Sequence, residues 1–158
     1  MTSENGVSES RFIHVRYLIL SKECFNSYLV LSEASNGSVV RYFHTKYFLL
    51  SRACELLFKS WLLFKGFSLN YLKKRIGHKI TKGLNKALLE SLESDLEIEL
   101  GDDFKRAICR LDDYYHIKDF EYPATGFKSL PLFAQFNDPI NIIFTKIDAY
   151  YRKMNSVN

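Results

Sequence analysis

Glycine and proline are scarce, 7 and 3 in 158 residues. A sandwich or barrel of short strands needs more turn-forming residues than that, so the scarcity points to long helices. Cys24, Cys54 and Cys109 lie far apart. An odd, scattered set is no disulfide framework, and no pair has zinc-ligand spacing. They read as small buried hydrophobes in a reducing compartment. No apolar run exceeds four residues, as at 61–64, far below the roughly 20 that a membrane span requires. The opening MTSENGVSES lacks the apolar core of a secretion signal, so a cytoplasmic chain without membrane contact is expected. Phosphate loops, nucleophile elbows and metal-ligand spacings are also missing, and neither a cofactor nor a metal is expected.

Hydrophobic residues make up 47% and charged residues 25%. Those values exclude a disordered chain, and the length suits one domain with a real core. The organisation reads as a polar tail over 1–10 and a single helical domain over 11–155. The net charge of +4 permits an anionic partner without demanding one.

Apolar residues at Ile13, Tyr17, Leu20, Cys24, Tyr28 and Leu31 recur every three or four positions, a helix stripe. Residues 35–38 read as a turn, with Ser38 as N-cap of a helix over 39–65. That second helix is apolar almost all round, which marks a central element. Its polar stripe is Arg52, Glu55 and Lys59, the last two spaced for an ion pair. Ser68 can cap a short helix over 69–75, which Gly77 breaks. A third main helix over 79–92 has Ile80, Leu84, Leu88 and Leu92 on one side and Lys79, Lys82 and Lys86 on the other. Asp102 can cap a fourth, with its stripe at Phe104, Ala107, Ile108, Leu111 and Tyr115. Residues 120–137 read as an ordered loop packed by Phe127, Leu130 and Phe133. Asp138 and Pro139 read as the N-cap and first turn of the last helix, which carries Ile140, Ile143, Ile147, Tyr150 and Met154. The expected fold is all-α, a four- to five-helix up-and-down bundle with a long ordered loop before the last helix.

Charge is segregated along the chain. Residues 59–86 hold basic residues and no acid, while 90–103 hold acids and no base. The basic block, Lys73, Lys74, Arg75, Lys79, Lys82 and Lys86, is the candidate phosphate-binding surface; the plainer reading is a solvated helix face. Among the histidines, His14, His44 and His78 read as structural. His116 follows Arg110 by six positions, and Asp112 and Asp113 stand one turn behind it. A permanently charged arginine can hold a phosphate while a histidine moves a proton, a workable pair for RNA cleavage without metal. Asp112 could orient the histidine ring.

The run 53–63, then Lys65-Gly66, then Gly77-His78-Lys79-Ile80, resembles HEPN domains. So does the stretch 111–123, with Tyr114-Tyr115 and Glu121-Tyr122-Pro123. The resemblance spans roughly 47–123. It implies a four- or five-helix bundle, usually a homodimer, associated with RNA or nucleotides in defence or RNA-processing systems, with an antitoxin or a nucleotidyltransferase as partner. Active members carry Arg, four to six residues, then His on the last core helix, the place of Arg110 and His116 here. The residue after that Arg is usually polar in active members, and here it is Leu111. Three functions follow: an RNA- or nucleotide-associated domain without activity, a metal-independent ribonuclease toxin using Arg110, His116 and Asp112, and a purely structural interaction domain.

Overall fold

A computed structural model describes residues 12–38, 40–122, 126 and 128–156. The tail over 1–10, and Val39, Pro123 and Phe127 of the expectations above, lie outside the described residues. Every regular element among the described residues is helical and none is a strand, so the expected all-α class holds. The helices are α1 (Ile13–Ala34), α2 (Phe43–Phe64), α3 (Leu69–Tyr71), α4 (Ile80–Leu89), α5 (Leu92–Leu96), α6 (Asp102–Tyr115) and α7 (Ala134–Ser156). A π-helical turn, Leu72–Ile76, continues α3.

α2 is the central element, as its composition requires. Fifteen of its 22 residues are buried, on every side of the helix. α1 runs along it, α4 and α6 pack on it, and α7 joins the core through Phe144 on Phe25 and Tyr151 on Phe64. Ser38 does not cap α2. Its Oγ accepts from Arg41 N in the turn, and its carbonyl accepts from the buried ammonium of Lys46. Lys46 also donates to Ser35 Oγ and lies over the Phe133 ring, which ties α1, the turn and α2 together.

Tyr28 is buried as expected, but the rest of the buried face of α1 is shifted by one residue from the expected stripe. His14, Leu18, Ser21, Phe25 and Tyr28 face inward, and Leu20 is half exposed. Ser21 donates to Ala53 O, and His14 packs edge-on against Phe64 and Tyr151. Ile13 and Tyr17 serve a second cluster with Leu62, Leu63, Leu72 and Ile76, which fastens α3 and its π turn. The cysteines divide: Cys54 is buried, Cys24 half-buried and Cys109 exposed, so only one is a core hydrophobe.

The expected helix over 79–92 is interrupted. Ser91 adopts a left-handed conformation, and the Trp61 indole donates to Glu90 O, which satisfies a carbonyl at the helix end. Asp102 is the first residue of α6 rather than its cap, and with Asp103 it complements the helix dipole. α7 starts at Ala134, four residues before Asp138, and Pro139 lies in its second turn. Gln135 Oε1 accepts from Leu132 N, half of a capping box. Met154 is exposed, and Tyr151 rather than Tyr150 is the buried tyrosine of the last turns.

Ser68 caps α3 as expected, accepting from Tyr71 N at 3.1 Å. Gly77 then takes φ +61° with ψ −131°, open only to glycine. Gly77→Ala should therefore lower stability by about 1–3 kcal/mol through strain alone. An added Cβ meets nothing closer than Lys73 O at 4.0 Å. A thermal midpoint equal to the wild type would contradict this.

Candidate functional site

Glu55 projects from the middle of α2 toward the turn at Gly77 and the end of α6. Its side chain is 1% exposed. Oε1 accepts from Lys59 Nζ at 2.5 Å and meets His78 Nδ1 at 3.2 Å. Oε2 accepts from Arg52 Nη1 at 3.0 Å and from the Tyr115 hydroxyl at 2.5 Å. A carboxylate only accepts, so His78 Nδ1 carries a proton in this contact.

Arg52, Glu55 and Lys59 share one face of α2 because they are three and four residues apart. Tyr115 and His78 reach the same face from α6 and from the start of α4. Burial alone would raise the Glu55 pKa. The hydrogen bonds from Lys59 and Tyr115 and the charges of Lys59 and Arg52 outweigh it and hold the carboxyl below its ordinary value. Burial, then the Glu55 charge, pushes the Tyr115 phenol far up, so it remains a donor.

Three concavities meet at His78. The largest, about 560 Å³, opens over Glu55, and its polar wall is Arg52, Glu55, Lys59, Lys73 and His78. A second, about 260 Å³, lies toward α6 between Arg52, Tyr115, Lys118 and Glu121. The third, also about 260 Å³, is lined by Lys74, Arg75, Lys79, Lys82, His78 and His116, with no carboxylate in its lining.

The expected phosphate-binding residues therefore divide between two concavities. Lys74, Arg75, Lys79 and Lys82 converge on the third, while Lys73 belongs to the largest. Lys86 lines neither: it pairs with Glu90 at 2.6 Å and lies over the Phe67 ring. The acidic block is also drawn into internal pairs. Asp95 meets Lys65 at 2.5 Å, and Glu93 holds Lys105 and the Leu100 amide.

Arg110 is exposed on α6 and is not among the residues lining the concavity that contains His116. His116 sits at the C-terminal end of α6, its side chain 31% exposed. Its Nδ1 is hydrogen-bonded to the main-chain carbonyl of Asp112. A carbonyl accepts, so Nδ1 carries the hydrogen, which leaves Nε2 as the ring nitrogen able to exchange a proton. The Asp112 carboxylate turns elsewhere. It accepts from Ile80 N at 2.9 Å and Thr81 N at 3.0 Å, capping α4 from another helix, and lies 4.0 Å from His116 Nδ1.

The stripe on α2 is legible in the sequence; the closure of Tyr115 and His78 over it is not. The signal was a carboxylate on the most apolar helix, which must recruit donors from its surroundings. Among the described residues no group of three or more His, Cys, Asp or Glu is placed to hold a metal. No helix among them is long and apolar enough to cross a membrane. No family model, curated protein or solved structure matches the chain.

Proposed function

We propose that the chain is a HEPN-like, RNA- or nucleotide-associated helical domain. It forms a four- to five-helix up-and-down bundle that works as a cytoplasmic homodimer in a defence or RNA-processing setting, beside an antitoxin or nucleotidyltransferase. One observation carries the binding reading: four cationic side chains and two histidines line a single concavity without a carboxylate. Phosphates are the natural occupants of such a surface, and unstacked RNA offers them at regular intervals.

The test is anisotropy of a labelled single-stranded RNA between 50 and 200 mM salt. Four neutralised phosphates give a slope of log affinity against log salt of about −3. Lys79→Glu with Lys82→Glu should weaken binding about tenfold at low salt and flatten that slope. Lys86→Glu should change least, because Glu90 already holds that lysine. Unchanged affinity and slope in the double variant refute the reading. The homodimer is checked separately: sedimentation equilibrium should give twice the chain mass at tens of micromolar, and monomer alone would remove it.

A second reading, a metal-independent ribonuclease, is favoured by the His116 tautomer inside the basic concavity. In that chemistry Nε2 receives the 2′-hydroxyl proton as the 2′-oxygen attacks the adjacent phosphorus. The 5′-oxygen leaves with a proton from solvent. Arg110, exposed on α6, would hold the phosphate of an RNA spanning two chains. RNA cleaved by the wild type in EDTA but not by His116→Ala or Arg110→Ala supports it, and RNA left intact by the wild type retires it.

A further inference from the structure

We propose that the cavity over Glu55 is a separate binding site for a small organic anion, an apolar body ending in a carboxylate or phosphate. Arg52 and Lys59 both donate to the one buried carboxylate, so this triad carries a net positive charge with a single acid in the cavity wall. Buried charge is normally paired, because desolvating an ion without a partner is costly. Arg52 uses one guanidinium nitrogen on Glu55, and its side chain is 37% exposed, leaving further N–H donors for a ligand. Lys73, exposed at the rim, and His78 add to the same side.

The remaining wall is apolar. Leu56, Leu69, Leu72 and Tyr17 line it, and at about 560 Å³ the cavity has the size and make-up of a small-molecule site. A hydrated inorganic ion would leave those side chains uncovered, whereas an aromatic or aliphatic body covers them. Glu55 in its wall, buried and held by Arg52, Lys59 and His78, fits a site built for binding rather than a solvent-filled dent. Of the residues lining this cavity and the basic concavity, the two share only the Gly77–His78 turn.

The experiment titrates phenyl phosphate, benzoate and benzylamine into the full chain and follows amide shifts by two-dimensional NMR. Phenyl phosphate and benzoate should shift Leu56, Leu72 and Gly77 saturably, with a dissociation constant of about 1 mM for ligands this small. The tighter of the two identifies the preferred anionic group. Lys73→Glu, at an exposed position, should leave the spectrum folded and weaken both about tenfold. Benzylamine binding as well as the anions, shifts confined elsewhere, or Lys73→Glu without effect would each overturn the site. Saturating single-stranded RNA should not displace phenyl phosphate; displacement would make the two cavities one surface and overturn the claim of separateness. Silence toward RNA with intact phenyl phosphate binding would instead reject only the RNA reading.

Discussion

Glu55→Ala should destabilise the fold by about 3–5 kcal/mol, the usual cost of removing one partner from a buried ion pair. The reason lies in what remains. Lys59 and Arg52 would keep their charges in a pocket designed around the carboxylate, and the Tyr115 hydroxyl would lose its acceptor. Against an ordinary total of about 5–15 kcal/mol, that is a large fraction of the whole. Urea denaturation at pH 7 measures it directly. Glu55→Gln, which keeps the shape and one acceptor, should fall between. The pH dependence has a definite sign. The carboxyl is held below its ordinary value in the folded state, so its contribution is complete above about 4.3, the ordinary glutamate value, and fades as pH falls further. Wild type should therefore lose stability relative to Glu55→Gln on acidification, and the two should converge in strong acid. A Glu55→Ala variant within 1 kcal/mol of wild type at pH 7 would show that the network adds little.

That network also marks the limit of what is legible in the chain. The position of α2 at the centre follows from its nearly unbroken apolar character, and its polar stripe at 52, 55 and 59 can be read directly. The donors from His78 and Tyr115 cannot, because they arrive 23 and 60 residues away through chain reversals. Periodicity fails differently on α1. Both Ile13–Tyr17 and Leu18–Phe25 are apolar, so two faces compete. The face turned to the main core includes His14 and Ser21, which a hydrophobic stripe does not select. The other face is not idle: it fastens the π turn that carries Lys73, Lys74 and Arg75. On α7, Asp138 and Pro139 imitate a helix start, yet Phe133 and Phe136 are drawn inward by Tyr47 and Phe104 and extend the helix backward. A proline in the second turn removes one backbone bond and crowds the carbonyl four residues before it, a cost of about 3 kcal/mol that the burial and packing of two aromatic rings can offset.

Asp112→Ala should cost about 3 kcal/mol and, unusually, should tighten anion binding rather than weaken it. Asp112 is 6% exposed, and its carboxylate accepts two backbone N–H groups at the head of α4. Hydrogen bonds to a charged acceptor are worth about 1.5–3 kcal/mol each, and the Ile80 amide would be left buried without a partner. The same carboxylate offsets the positive end of α4 directly behind Lys79 and Lys82, and it lies 4.0 Å from His116 Nδ1. Removing its charge raises the potential of the basic concavity, so RNA affinity should rise a few-fold at 50 mM salt and return toward wild type as salt screens the field. Asp112→Asn separates the two effects. It keeps one oxygen for Ile80 or Thr81, so about half of the stability loss is expected, with the full gain in affinity. Thermal melting and RNA anisotropy on the same samples read both. Unchanged melting would mean that the cross-helix cap carries no load, and weaker RNA binding would mean that RNA does not use the concavity beside it. A residue whose removal lowers stability while strengthening binding is one that holds a site together at the expense of its charge, and that trade is what the position of Asp112 between α4 and His116 predicts.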